Sequence, residues 1–290
     1  MYDTFCGSSA INLNKKYEVK VMPVVTKITT QKNSGERYNV YLDYGKGEEF
    51  GFGVDENVLI KYDLKKGREL DEFELTEIQY ADDEKKAYNL AITYLSYRMR
   101  SEKEVHDYLK KKEINSTIIQ QVIQKLVSHR YLNDEEFAKA FVLTQMNTTS
   151  KGPNVIQREL KEKGISDSII TLSLCEYPEE QQIQTAVKLI EKLKGKYKKL
   201  SQVMMKQKME QALAVKGYSF SIIQEAFQRT NTEKESDEAW EALQYQGMKA
   251  HRRFSKYEGW EYQQKMKQAL YRKGFSIDQI QSFLDSIEEE

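Results

Sequence analysis

The sequence predicts a mainly α-helical protein: tandem three-helix repeats in an elongated array, with a small antiparallel β region near the N-terminus. Three observations carry that expectation. Proline, the residue least compatible with a helix interior, occurs only at Pro23, Pro153 and Pro178, while Lys, Glu, Gln, Leu and Ile fill long stretches of 3.6-residue apolar periodicity. An apolar frame ending on a glycine turn, as in ELKEKGIS at 159–166, returns later as QALAVKGYS at 211–219 and QALYRKGFS at 268–276. β-Branched and alternating segments are confined to residues 24–66.

Residues 1–21 differ in character from the rest of the chain, and MPVVTKI at 22–28 would make a plausible translation start. Glu18-Val19-Lys20 could be encoded by bases resembling a bacterial ribosome-binding site. The first 21 residues are therefore expected either to stem from an upstream start and be disordered or dispensable, or to form a genuine N-terminal arm. Residues 22–70 are expected to form the β region, with three to five strands. VVTKITTQ is β-branched, KNSGE has turn chemistry, and RYNVYLDY alternates, placing Tyr38, Val40 and Leu42 on one face. GKGEEFGFGV supplies a second turn and an aromatic strand, and NVLIKYDL reads as the closing strand.

From Asp71 onward the pattern is helical. Asp82-Asp83 are expected to cap a helix containing EKKAYNLAITYLSYR. Ser101 and Glu104 have the spacing of a capping box, and Asn133 or Asp134 is placed to cap EEFAKAFVLTQMN. Four helical repeats are expected, over 71–145, 146–180, 181–232 and 233–290.

The repetition has a defined frame. Leu109, Leu160, Leu213 and Leu270 act as anchors, spaced 51, 53 and 57 residues apart. Four residues before them stand Val105, Ile156, Met209 and Met266; five after them, Ile114, Ile165, Tyr218 and Phe275. Ten after them stand Ile119, Ile170, Ile223 and Ile280; fourteen after, Ile123, Leu174, Phe227 and Leu284. Steps of four put such side chains on one helix face. Each copy is thus a helix, a turn and a second helix, and the turn residue is Gly164, Gly217 or Gly274, with Glu113 in the first copy. About 25 residues remain between copies, room for a third helix such as EFAKAFVLTQ or QIQTAVKLIEKL. Units this small bury more by stacking on neighbours.

Composition narrows the function. Lys+Arg and Asp+Glu are equal at 45 each, whereas a free-standing nucleic-acid binder usually carries a basic excess, so any affinity for DNA would come from local patches. Two cysteines, Cys6 and Cys175, exclude a disulfide framework and fit a reducing cytoplasm, and Cys175 is expected to be a buried structural thiol. No apolar run approaches the roughly 20 residues of a membrane span. His106, His129 and His251 lack metal-ligand spacing, GKGEEFGFG lacks the ending of a phosphate loop, and no serine–histidine or cysteine–histidine pairing stands out. Neither catalysis, a cofactor nor a metal is expected.

Basic clusters precede or begin each anchor helix. They are Arg98 and Arg100; Lys151 and Arg158; Lys196, Lys198 and Lys199 with Lys206 and Lys208; and Arg252, Arg253 and Lys256. Tyr197, Phe254, Tyr257 and Trp260 lie among the later ones. A solvated helix surface explains any single one of these; as a periodic set they are the candidate contact residues.

YLNDEEFAKAFV at 131–142, followed by KGPNVIQRELKEKGIS at 151–166 and preceded by SEKEVHDYLKKK, resembles the RecX regulatory proteins of bacteria. The resemblance is strong over residues 80–180, and the β region and later copies resemble those of the longer family members. It implies tandem three-helix units that bind the RecA recombinase, lie along the groove of its filament on single-stranded DNA, and restrain strand exchange, ATP hydrolysis and co-protease activity without being enzymes. Glu113 departs from the glycine frame and puts the first turn's geometry in doubt. The expected partner is the RecA filament on single-stranded DNA, with direct DNA contact open, no membrane, and a monomer. The alternatives are an autonomous DNA-binding helical-repeat protein and a passive helical adaptor for another partner.

Overall fold

A computed structural model of the chain describes residues 22–32, 34–233 and 235–288; the expected leader at 1–21, with Cys6, lies outside them. Two compact units are present. One comprises the described residues up to Tyr97 together with His106–Lys125, and the other comprises Arg98–Val105 together with the residues from Leu126 on.

In the first unit, β1 (Val24–Gln31), β2 (Ser34–Asp43) and β3 (Glu48–Asp55) form an antiparallel sheet in the order β1-β2-β3. Val40 and Leu42 of β2 face inward, as their alternation requires, with Val25, Phe52 and Val54 from the flanking strands. The turn before β3 is an Asp43 turn whose carboxylate accepts from the amides of Gly45 and Gly47. NVLIK departs from expectation: it forms α1 (Glu56–Lys61), not a strand. Asp55 ends β3 and caps the helix by accepting from the Asn57 amide, and the helical period then buries Val58 while leaving Ile60 exposed. A short continuous apolar run carries no period of its own to separate strand from helix.

The next helix is also longer than expected. α2 (Glu72–Leu95) begins at a capping box between Asp71 and Glu74, so Asp82 and Asp83 lie within it and cap nothing. Asp82 is buried, accepts from the Asp55 amide at 2.8 Å, and pairs with Arg37 at 2.8 Å and Lys86 at 2.9 Å. Burial alone would raise its carboxyl; the hydrogen bonds from Arg37, Lys86 and the Asp55 amide outweigh that and hold it below the usual carboxylate range. Asp82 thus ties α2 to the sheet. α3 (Glu102–Lys111) and α4 (Ser116–Ser128) come next. Within this unit Tyr94 of α2 stacks on Tyr108 of α3 with ring centroids 4.0 Å apart, and the Tyr80 hydroxyl donates to Gln121 of α4.

The second unit holds three further helix triplets, each with its own core. α5 (Asp134–Thr148) packs with α6 (Pro153–Glu162) and α7 (Asp167–Leu174) around Phe137, Val142, Ile156, Leu160 and Ile170. α8 (Glu179–Lys196), α9 (Gln202–Val215) and α10 (Phe220–Gln228) enclose Ile183, Ile190, Met209, Leu213 and Ile223. α11 (Ser236–Phe254), α12 (Gly259–Tyr271) and α13 (Ile277–Glu288) enclose Leu243, Met266, Leu270, Ile280 and Phe283. Asn133 is the cap of α5, its side chain accepting from the amides of Glu135 and Glu136.

The four turns are built alike. The residue five after each anchor donates its amide to the anchor's carbonyl, as in Ile114 to Leu109, Ile165 to Leu160, Tyr218 to Leu213 and Phe275 to Leu270. This is a Schellman closure, which needs a left-handed residue between the two. Gly164, Gly217 and Gly274 take φ of 84°, 91° and 80°, and Glu113 takes 61°. The first turn therefore keeps the geometry of the others, with the strain of a side chain at positive φ, about 1 kcal/mol.

A second requirement explains why the later three are glycine. Each turn meets the start of the anchor helix one triplet earlier. Ser101 Oγ donates to the Lys163 carbonyl, the Gly152 amide to the Lys216 carbonyl at 2.7 Å, and Ser201 Oγ to the Lys273 carbonyl. A Cβ on Gly164 would stand 2.7 Å from Lys103, one on Gly217 2.6 Å from the Val155 amide nitrogen, and one on Gly274 2.8 Å from Ser201 Oγ. Lys–Gly turns thus join successive triplets by one repeated contact. Among the described residues the sheet region, not a helical triplet, precedes the first turn, and there Glu113 is tolerated.

Candidate functional site

The sequence-predicted basic residues have different fates. Arg98 and Lys151 are engaged in pairs: Arg98 with Glu104 at 3.0 Å and Lys151 with Glu159 at 2.6 Å. Glu104 also receives Lys163 at 2.9 Å. Burial pushes the Glu104 carboxyl up, but hydrogen bonds from Arg98, Lys163 and the Ser101 amide prevail and hold its pKa at about 2. Arg98 therefore serves the contact, within the second unit, between the start of α3 and the turn after α6. Arg100 is half-buried and Arg158 is exposed. Lys206 lies over the Phe227 ring and Lys208 is exposed.

Lys198, Lys199, Arg252 and Arg253 lie on or against α11. Lys198 and Lys199 follow α8, yet Lys198 pairs with Glu241 at 3.3 Å and the Lys199 ammonium lies 4.4 Å from the centre of the Tyr245 ring. Gln246 donates to the Lys199 carbonyl, fixing this segment against α11. Glu241, Tyr245, Lys249 and Arg253 succeed one another at steps of four and share one face of the helix. Arg252 lies on the same helix, and Lys256, two residues past its end, lies over the Tyr257 ring. The structure thus brings Lys198 and Lys199 of the third predicted cluster beside Arg252 and Arg253 of the fourth, along a strip about 12 Å long from Tyr245 to Arg253 at 1.5 Å per residue. Lys196 contacts only its neighbour Tyr197 among the ring contacts seen.

Lys249 and Lys273 were missed by the sequence reading. Lys273 follows α12 and donates to Gln246 at 2.8 Å. Its pKa is lowered by burial first, and then by the positive charges of Lys249 and Arg253. The step of four from Lys249 to Arg253 is a signal the sequence does contain; the approach of Lys273 is not. Among the described residues no group of three or more His, Cys, Asp and Glu could hold a metal ion, and no helix is long and apolar enough to cross a membrane. His251 donates to or accepts from the Tyr262 hydroxyl at 2.7 Å, and His106 neighbours Asp107. Cys175, expected to be buried, is exposed: α7 turns Ile170 and Ser173 inward, and Cys175 caps the helix just past that face.

Comparison with known proteins bears on this arrangement. The regulatory protein RecX N-terminal domain matches residues 23–71, and the first and second three-helix domains of RecX match 87–126 and 133–174. The third three-helix domain matches twice, at 179–227 and 236–284. The chain is 51% identical over 269 residues to the regulatory protein RecX of Bacillus cereus (strain B4264), covering 93% of this chain and 100% of that one. It is 51% identical over 263 residues to the regulatory protein RecX of Bacillus cytotoxicus, covering 91% and 97%. A crystal structure of regulatory protein RecX superposes with a TM-score of 0.62 at 36% identity, over 70% of this chain and 98% of that one. A crystal structure of RecX from Lactobacillus salivarius gives 0.51 at 39% identity, over 53% and 99%. With its β domain and all its helical triplets matched, this chain belongs to the RecX family of regulatory proteins.

Proposed function

We propose that the protein is a non-catalytic cytoplasmic regulator that binds the RecA filament on single-stranded DNA, in its groove, and modulates, mostly by inhibition, its ATPase, strand-exchange and co-protease activities. Family membership supports the regulatory role. The observation that carries the reading of the partner is the repeated junction: Lys163, Lys216 and Lys273 each offer a carbonyl to the anchor-helix start one triplet earlier. A chain of like units suits a polymer of like subunits. Modest contacts to several subunits add through effective concentration when the spacings match. The strip on α11 supplies the charge for acidic protein patches or phosphates.

The test is RecA-catalysed ATP hydrolysis and strand exchange with and without the protein, beside its variant carrying Lys198→Glu, Lys199→Glu, Arg252→Glu and Arg253→Glu. The fold is expected to survive, because Lys198 and Glu241 are both more than half exposed and such pairs contribute about 0–1 kcal/mol. Wild-type protein is expected to inhibit and to sediment with RecA filaments, and the variant to lose most of both. Inhibition unchanged in the variant would remove the strip from the mechanism. Failure of the wild type to sediment with filaments would overturn the reading itself.

A further inference from the structure

We propose that the fourth helical triplet carries a binding surface for single-stranded nucleic acid, in which Trp260 and Tyr271 stack on unpaired bases while neighbouring lysines and arginines hold the phosphates. This deepens the proposed function by assigning the strand itself, rather than RecA, to this triplet. It can be tested without RecA.

The charge is concentrated here. Residues 249–273 contain eight Lys and Arg against Glu258 and Glu261, a net charge of +6 (8 − 2) in a chain whose total is zero. The cations are crowded against one another: burial first, then the charges of Lys249 and Arg253, depresses the Lys273 ammonium. A polyanion would relieve that repulsion.

The aromatic part is separately visible. Trp260 is 76% exposed and Tyr271 64% exposed. Both line a groove of about 560 Å³ between α12 and α13, with Gln264, Lys267, Gln268 and Ile277. Trp260 and Tyr271 are eleven residues apart on α12, which returns them to the same face about 16 Å apart along the axis. Between them lie Lys267 and the amide groups of Gln264 and Gln268, which can reach base edges, with Glu261 also on the lining. Lys265, also on the groove, lies 4.3 Å from the centre of the Tyr257 ring, and Lys256 lies on the same ring. Tyr257 thus lies between Lys265 on the groove and Lys256 just past the end of α11.

Trp260 occupies the position in its triplet that two junction residues occupy in theirs. It stands two residues after the N-cap Glu258, as Lys103 and Val203 stand two after Ser101 and Ser201. Lys103 and Val203 meet the glycine of the next triplet. In the fourth triplet that place holds a tryptophan beside a basic surface. Exposed rings interleaved with cations are how sequence-tolerant single-strand binders work, because every unpaired base offers a π face that a duplex hides.

The experiment measures binding of a fluorescein-labelled single-stranded oligothymidine by anisotropy, with no RecA present, for the full chain and for Trp260→Ala and Tyr271→Ala. The expected result is binding that weakens steeply with salt, a loss of at least about fivefold in affinity for each ring removed, and a shallower salt dependence for Lys267→Gln. Both rings are exposed, so unchanged circular dichroism is expected of the variants. Absence of binding, or binding that both ring variants leave intact, would overturn the proposal. So would equal competition by an acidic polypeptide, which would point to a protein partner. Loss of oligothymidine binding in the ring variants with RecA filament sedimentation preserved supports this site independently; oligothymidine binding without any effect on RecA would sink the proposed function and leave this inference standing.

Discussion

Replacing Gly217 with alanine probes the contact that joins the second and third helical triplets. Gly217 has φ 91°, so any side chain there carries about 1 kcal/mol of backbone strain. The new Cβ would also stand 2.6 Å from the Val155 amide nitrogen, a backbone atom that no rotamer change can move away. The turn and the start of α6 would have to part. That separation breaks the hydrogen bonds from the Gly152 amide to the Lys216 carbonyl, 2.7 Å, and from the Asn154 amide to the Gly217 carbonyl, 3.1 Å. At about 1 kcal/mol each, the two bonds and the strain sum to about 3 kcal/mol. Gly195→Ala is the control. Gly195 lies in α8 of the same triplet with nothing within 4 Å of an added Cβ, so alanine is expected to be neutral or to stabilise by up to about 1 kcal/mol. Urea denaturation followed by circular dichroism compares the two. A Gly217→Ala protein within about 0.5 kcal/mol of the parent would refute the idea that these turns are glycine because a neighbour approaches them.

The Glu104 pKa makes a pH prediction. Its folded value of about 2 lies below the usual 4.5, so the stabilisation is fully present above about pH 5 and is lost as pH falls toward 2. Glu104→Gln is expected to cost about 1–3 kcal/mol at pH 7, with the partly exposed Arg98 screened by water, and the gap to wild type should close at low pH; a gap independent of pH would show that the ion pairs are not its origin. Arg37→Ala leaves the buried Asp82 with Lys86 as its charged partner beside the Asp55 amide, and is expected to cost about 2–4 kcal/mol, read as an earlier unfolding of the sheet-bearing unit. Adding the substitution Asp82→Asn should recover part of that loss; no recovery would mean that the uncompensated carboxylate is not what destabilises. Glu113→Gly should stabilise by up to about 1 kcal/mol, because it removes the only side chain among the four turn positions at positive φ.

Much of the fold was legible because the interactions that set it are local. The anchor leucines, the residue five beyond them and the turn glycine are joined by hydrogen bonds within six residues, and a four-residue step marks the buried face. Every anchor and every residue four before it is fully buried. Where local signals are equivocal the sequence points the wrong way. NVLIK has no period, and Asp82 has the chemistry of a cap although its partners Arg37 and Asp55 come from the sheet. The candidate site was legible in part: Arg252, Arg253 and Lys256 are exposed where their clustering suggested, while Arg98 and Lys151 resemble them in sequence and are held in ion pairs.

By itself the sequence determined the helices, the left-handed turns and the repetition, since each depends on residues a few positions apart. The tertiary structure alone decided which donors meet the turn carbonyls across 62 to 72 residues of chain for the two serine contacts, and that Lys198, Lys199 and Lys273 gather on α11. The physical reason is that charge and hydrogen-bonding capacity belong to a residue, whereas proximity to a distant partner belongs to the packing of whole triplets. The glycines stand at the meeting of the two: their positive φ is required locally, and their missing Cβ is required by a neighbour that no short stretch of sequence discloses.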